Sequence, residues 1–411
     1  MIGDFNRYDM GRPPRRQMGI FSLIIWLFSF LKKWKHRGKI RMVNMPAQLK
    51  PPYFLLCNHN AFMDFMIMST AIFPFKASYI VAIDGFIKRE WLLRCVGGIC
   101  NRKFVRSTRL VKSILQAKSL GDVIVLFPEA RYSLCGTTSQ LPESLGKMIQ
   151  KLNIPVVTLI MNGHHINSPF WNTKDRNIKP IDSTMTLLIT QQETQELGVD
   201  TINQRLADAF IYDDYRWQKD RRVAVKSKKR AEGLHKVLYQ CPHCNAEYRM
   251  MTKGITLTCT NCNKSWTMNE YGELTGSDGI TEFSHIPDWY EWERTNVRKE
   301  VESGSYSFVS EVRIESLPNS KGFIVFKDKG TLTQNMDGFT LEGVYEGEPF
   351  TVEWPSKSLY SCHIEYDYMK RGDCIDLNTQ YDTLYLFPTG EDFSVTKISL
   401  ATEELYRFMK E

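Results

Sequence analysis

Two short cysteine pairs constrain this chain more tightly than any other feature. In CPHCNAEYRMMTKGITLTCTNC, Cys241 and Cys244 form one knuckle and Cys259 and Cys262 another. Four thiolates at this spacing suit one tetrahedral metal ion, zinc above all. The residues between the knuckles can then form a hairpin. With all four positions filled by protein the ion is structural, because none is left open for substrate. His243, inside the first knuckle, reads as a bystander.

This module, residues 240–275, is similar to a zinc ribbon. The other cysteines, Cys57, Cys95, Cys100, Cys135, Cys362 and Cys374, are scattered in mostly apolar surroundings. They form no disulfide framework, and reduced thiols in a cytosolic setting are expected.

At 411 residues, with 43% hydrophobic and 24% charged residues, the chain can bury more than one core. Its balance of +7 is modest, and the placement of the cations matters more. In residues 1–40 an apolar run, Met18–Leu31, is shorter than the roughly 20 residues a spanning helix needs. Arg12, Arg15 and Arg16 precede it; Lys32, Lys33, Lys35, Arg37, Lys39 and Arg41 follow. No small-residue cleavage site comes after it, which argues against a signal peptide. Trp26 and Trp34 with flanking cations predict a helix lying in the interface of an anionic leaflet. A buried helix of a soluble core is the plainer alternative.

Residues 41–210 alternate short apolar runs with helical patterns. YFLLCNH, ASYIVA, GDVIVLFPEA, IPVVTLIMNG and STMTLLIT read as strands. MDFMIMSTAIF, RLVKSILQAKSLG and PESLGKMIQKLN read as helices, the last two ended by Gly or Asn. Such alternation implies an α/β domain with a largely parallel sheet. Residues 211–239 are strongly charged and predict a solvated, basic linker helix. Residues 283–411 open with a helix, IPDWYEWERTNVRKEVES, with Pro287 in its first turn. Strand-like runs separated by turns such as Asn335–Gly338 and Pro388–Gly390 follow, then a closing helix. An antiparallel β domain is expected, similar in pattern to pleckstrin-homology-like domains.

One apolar run carries polar residues that need partners. In LLCNHNAFMDFMI, His59 and Asp64 are five apart, beyond a strand and near a helix start. There Asp64 can hold one imidazole tautomer and make the other nitrogen a base for an alcohol. Cys57 reads as a buried strand residue. His164 and His165, a vicinal pair after a strand, could line the site, but the plainer reading is that of loop residues.

The order NHNAFMD, GGICNRKFVRS, VLFPEARYS and NIPVVTLI, over roughly residues 18–200, resembles the glycerolipid acyltransferase family, that of 1-acylglycerol-3-phosphate acyltransferases. The resemblance implies His59 as general base, Asp64 as its orienting partner and Asn58 in its place before the histidine. It implies substrate binding by Asn58, Arg102, Glu129, Arg131 and Ser133, with Phe127 and Pro128 also in the third block. Ile154 and Pro155 match a structural and acyl-chain element. Ala61, Ile99 and Cys100 depart from the family pattern. So does Tyr132, which stands in the family's arginine column with Arg131 one residue earlier. Arg102, Lys103, Arg106 and Arg131 would supply charge for a phosphorylated acceptor.

The expected protein is a peripheral O-acyltransferase on the cytoplasmic side of the cell membrane. It would move a fatty acyl group from acyl-CoA or acyl carrier protein to the hydroxyl of a lysophospholipid, lysophosphatidic-acid-like acceptor in phospholipid synthesis. Transfer to a non-glycerol lipid acceptor, or an inactive lipid- or protein-binding scaffold, are the alternatives. No nucleic-acid partner is expected.

Overall fold

Phe54, Leu55, Leu56 and Cys57 are all fully buried, and a strand with both faces covered is the natural outcome of such a run. In the computed structural model, which describes residues 2–105 and 107–410, they form one strand of a seven-stranded sheet. The chain divides into two compact units. The first comprises Asp9–Asn101 and Arg106–Ala224; the second comprises Met1–Tyr8, Arg102–Val105 and Val225–Glu411.

The first unit's strands are β1 (Lys39–Val43), β2 (Phe54–Cys57), β3 (Ala77–Ala82), β4 (Gly98–Asn101), β5 (Val123–Leu126), β6 (Val156–Asn162) and β7 (Asp182–Ile189). Their order is β1-β7-β6-β2-β5-β3-β4. From β6 to β4 every neighbour is parallel, whereas β7 runs antiparallel to β6 and carries β1 parallel to itself. The sheet is therefore mixed, with its parallel part around β2. Helices α1 (Gly19–Lys35), α2 (Met63–Ala71), α3 (Glu90–Cys95), α4 (Thr108–Ser119), α5 (Leu145–Leu152), α6 (His164–Asn167), α7 (Glu193–Glu196), α8 (Val199–Ala209) and α9 (Asp214–Asp220) accompany it.

One core joins Phe54, Leu56, Ile124 and Val156 of the sheet to Ile114 of α4, Leu145 and Ile149 of α5, and Ile202 and Leu206 of α8. Leu55 and Cys57 alternate to the opposite face. Ser107 caps α4 by accepting from the Leu110 N–H, and Asn153 ends α5 in the left-handed region, φ 46°.

Helix α1 is built the other way round from an ordinary surface helix. It packs on α2, and the residues it buries are Ser22 and Ser29. Ile20, Leu23, Ile24, Leu27, Phe28, Leu31 and Trp34 are exposed, as are Phe62, Phe73 and Trp91 elsewhere in the unit. Trp26 and Phe30 meet the Phe73 ring edge-on at 5.1 and 5.4 Å. No helix among the described residues is long and apolar enough to cross a membrane.

The expected basic linker helix at 211–239 is not one helix. Only Asp214–Asp220 is α-helical, followed by turns and a short 3-10 segment, Leu234–Lys236. It is not broadly solvated either, because Tyr212, Tyr215, Val223, Val225, Leu234 and Leu238, spaced among the charges, are all buried.

In the second unit, β8 (Met250–Lys253), β9 (Thr256–Cys259), β10 (Ser265–Met268) and β11 (Leu274–Gly276) form a four-stranded antiparallel sheet. Helix α10 (Ile286–Glu302) follows, with Pro287 in its first turn. Strands β12 (Phe308–Ser316), β13 (Ile324–Val325), β14 (Gly330–Asn335), β15 (Gly338–Tyr345), β16 (Glu348–Pro355), β17 (His363–Glu365), β18 (Cys374–Asn378) and β19 (Thr383–Pro388) build an antiparallel eight-stranded sheet. Helix α11 (Val395–Phe408) closes the chain. Asn335 pairs with Gly338 across the β14–β15 turn. Gly338 has φ 118°, and a Cβ there would lie 2.2 Å from the Trp354 carbonyl oxygen, so the turn requires glycine. Helix α11 is tied to α10 by Arg294–Glu403 at 2.6 Å and Arg298–Glu404 at 2.8 Å.

Candidate active site and metal-binding cluster

Beyond Cys57 the ladder between β2 and β6 is continued by a side chain. Asn58 donates to the Met161 carbonyl at 3.0 Å and accepts from the Met161 N–H at 2.8 Å. The chain then turns through His59–Ala61 into α2. Asp64, in the first turn of α2, reaches back over this turn. Its Oδ2 accepts from the Asn60 N–H (2.5 Å), the Ala61 N–H (2.9 Å) and His59 Nδ1 (3.0 Å). Its Oδ1 accepts from His164 Nδ1 at 2.6 Å. Burial pushes the Asp64 carboxyl up, but the bonds from His164 and His59 outweigh it and hold the group at about 2. An ionised carboxylate only accepts, so both imidazoles present Nδ1–H to it and turn Nε2 away. The His59 ring is 23% exposed, whereas Asp64 and His164 are sealed from solvent.

The loop after β5 grips His59 from both sides. Glu129 accepts from the His59 N–H at 3.1 Å and the Ser139 N–H at 2.7 Å, and Tyr212 donates to the same carboxyl at 3.3 Å. The Ser133 N–H donates to the His59 carbonyl at 2.8 Å. Phe127 stacks on the imidazole with centroids 4.1 Å apart, and Tyr132 tilts against it at 4.3 Å. Burial raises the Glu129 carboxyl to about 7, opposed by its backbone donors and by the charge of Arg131. Ala130 holds φ 55°, a left-handed conformation that costs an alanine about 1–2 kcal/mol.

His59 and Asp64 are thus brought together, while the residues expected to bind substrate have other partners. Asn58 is a buried extension of the sheet. Glu129 spends its oxygens on main-chain donors and Tyr212. The Ser133 hydroxyl closes its own turn, donating to the Thr137 carbonyl at 2.6 Å and accepting from the Gly136 N–H at 3.0 Å. Arg131 is buried, its charge acting on Glu129. Arg102 belongs to the second unit, where its guanidinium donates to the carbonyls of Leu317, Pro318 and Tyr381 and to the Thr383 hydroxyl, at 2.6–3.1 Å. Lys103 pairs there with Asp376 at 3.8 Å. Arg106 lies outside the described residues.

Sequence reasoning missed three residues of the first unit. His164, read as a loop residue, is a partner of Asp64. Asp214 accepts from the N–H groups of Gly163 and His165, both at 2.9 Å, and fixes the turn that presents His164. Burial raises its carboxyl to about 7. Tyr212 bridges Asn60 and Glu129. The vicinal histidines after an apolar strand were the one available signal.

In the second unit Cys241, Cys244, Cys259 and Cys262 converge, their sulfurs all within 4.8 Å of one another. Cys241 Sγ lies 3.8 Å from Cys262 Sγ, and Cys244 Sγ 3.7 Å from Cys259 Sγ. Sulfurs placed tetrahedrally about 2.3 Å from one ion are separated by about 3.8 Å, so the cluster fits a metal. His243 instead faces Glu282 at 3.4 Å.

Residues 39–162 match the family model described as Acyltransferase. No curated protein matches the chain. Among solved structures it is similar to the 1-acyl-sn-glycerophosphate (LPA) acyltransferase PlsC from Thermotoga maritima. The two are 15% identical, with 46% of this chain and 78% of that chain covered and a TM-score of 0.34. The matched family segment contains β2, Asp64 and the whole loop that grips His59. Residues 39–162 are thus similar to the Acyltransferase family, and this part of the chain holds the His59–Asp64 pair.

Proposed function

We propose that the protein is a peripheral membrane O-acyltransferase that esterifies a lysophospholipid with an acyl group from acyl-CoA or acyl carrier protein. The observation that carries the reading is the His59–Asp64 pair, with a partly exposed imidazole clamped by the third block inside a matched acyltransferase segment. His59 Nε2 takes the proton of the acceptor hydroxyl as its oxygen attacks the thioester carbonyl. The carbon–sulfur bond then breaks, and the imidazolium gives the proton to the leaving thiolate. Asp64 stabilises the imidazolium and is not itself protonated. No enzyme nucleophile is needed.

The outward apolar face of α1, with Phe62, Phe73 and Trp91, supports contact with the cytoplasmic leaflet, where an acceptor with an apolar tail resides. The four-cysteine cluster supports structural zinc. The ribbon and the pleckstrin-homology-like C-terminal sheet are accessories for docking or regulation.

One observation favours a second reading of the acceptor. Tyr132, an aromatic residue where the family resemblance places an arginine, lies against the imidazole, and Arg102 is bonded within the second unit. A non-glycerol lipid alcohol is the alternative acceptor. The test is thiol release from acyl-CoA with vesicles containing lysophosphatidic acid or uncharged lipid alcohols. Release with one acceptor class, and its loss in His59→Ala, is expected; release that survives in His59→Ala rejects the mechanism.

A further inference from the structure

We propose that His164 is a positioning residue of the acyl transfer: its imidazole, bonded to the far oxygen of Asp64, sets how strongly Asp64 attracts a proton onto His59. This rests on the reading of His59 as the base. The two histidines are far apart in sequence and sit on different elements, yet they share one carboxylate, one imidazole per oxygen. Among the described residues His164 is the donor on Oδ1, and at 2.6 Å it makes the shortest side-chain bond to that group.

The physical consequence follows from the charge on Asp64. A donor on a carboxylate withdraws part of its negative charge, so the carboxylate stabilises a neighbouring imidazolium less. Removing that donor returns the charge to Oδ2, where His59 is held, and makes His59 hold a proton more tightly. His164 is built for this role rather than for contact with substrate. It is sealed from solvent, its Nε2 has no hydrogen-bond partner among the described residues, and its backbone turn is pinned by Asp214. A histidine that merely filled space here would leave an apolar side chain equally acceptable.

Tyr132 lies against the His59 ring, and the further titratable groups around the pair are Cys57 of β2, Glu129 of the loop after β5, His165 of α6, Tyr212 before α9 and Asp214 of α9. Burial favours the neutral form of each, and His165 is also beside the charge of Arg176. None of them bonds to Asp64, whose acceptor positions are filled by His59, His164 and two main-chain N–H groups.

The test compares His164→Leu, which removes the donor, with His164→Asn, whose amide nitrogen can take the place of Nδ1. The full-length protein is labelled in its histidine rings, and the His59 resonance is assigned by its loss in His59→Ala. Its titration midpoint is expected to rise by about one pH unit in His164→Leu and to stay near wild type in His164→Asn. The acid limb of kcat/KM for thiol release should move with it. Should His164→Leu fail to fold, His164→Gln, with its donor displaced toward the Nε2 side, is expected to show the same rise. An unmoved midpoint in the donorless variants, or equal movement in Leu and Asn, overturns the proposal. A moved midpoint in a protein that releases no thiol leaves this coupling standing and rejects the acyl-transfer reading instead.

Discussion

Glu129 and Asp64 are both fully buried carboxyl groups beside the same imidazole, and their surroundings drive them in opposite directions. Glu129 binds its proton more tightly in the fold than in the unfolded chain, at about 7 against 4.5. Its contribution is therefore complete below about pH 4.5 and declines as pH rises toward 7. Asp214 behaves likewise, at about 7 against 3.8. Asp64, at about 2 against 3.8, contributes fully above about pH 3.8 and loses that contribution as pH falls through 2. The melting temperature should therefore fall between pH 5 and pH 7, by a stability change on the order of a few kcal/mol. In Glu129→Gln the decline should be visibly shallower; an unchanged slope would exclude Glu129 as a cause. At the next residue, Ala130→Gly should stabilise the protein by about 0.5–1 kcal/mol. Relief of the left-handed alanine exceeds the added unfolded-state freedom of glycine, and chemical denaturation reads the difference. What could be read of this site in the sequence was the local pair. His59 and Asp64 lie within one turn of chain, but the bond from His164 is created only when β6 is laid beside β2, and no local spacing encodes that.

Elements were legible where a run was long and of one kind. β2, β5 and β6 are unbroken apolar stretches, and α4 and α5 carry both periodicity and end signals. Strands β1 (KIRMV), β4 (GICN) and β18 (CIDLN) do not read as strands because charged residues, glycine or asparagine interrupt or flank their apolar residues. The continuous strand-like run FTLEGVYEGEPFTVEW is a hairpin, β15 and β16, turning at Glu346–Gly347. Helix α1 was legible as apolar, yet its direction could be known only from packing: Ser22 and Ser29 are buried, Ser29 against Met66 of α2, and the leucines are exposed. Leu23 and Leu27 are 65% and 60% exposed, so replacing both with serine should leave the unfolding free energy within about 1 kcal/mol of wild type. The same change should weaken cosedimentation with anionic vesicles by at least about tenfold, since each buried leucine side chain is worth about 1.5–3 kcal/mol. Undiminished binding would assign the leaflet contact to another surface. For the four-cysteine module the expectation concerns its core. Trp266 is fully buried and meets Trp289 of α10 at 5.0 Å. Chelation should therefore shift tryptophan fluorescence to the red and open residues 240–302 to protease, while Cys241→Ser should do so without chelator.

At the scale of the whole molecule the path of the chain decides how one arginine is to be understood. Residues 102–105 are flanked on both sides by the first unit but belong to the second. Family resemblance makes Arg102 a contact for the acceptor's phosphate. If that were its main work, Arg102→Ala would raise KM for a phosphorylated acceptor and leave stability alone. The bonds it makes argue otherwise, because its side chain is buried and satisfies the carbonyls of Leu317, Pro318 and Tyr381 and the hydroxyl of Thr383. Phe104 adds an edge-on contact to Tyr360 at 5.3 Å. Without the guanidinium those acceptors lose their partner inside the protein, at about 1–3 kcal/mol for each one left unsatisfied. Some will find water, so Arg102→Ala is expected to cost about 3 kcal/mol overall, measured by denaturant unfolding of the full chain. Arg102→Lys should recover only part of this, since an ammonium lacks the guanidinium's rigid fork. A fully stable Arg102→Ala protein with a raised KM would return the residue to the substrate. A destabilised one, with KM near wild type in the folded fraction, would make it the rivet that fixes the loop after β4 in the C-terminal unit.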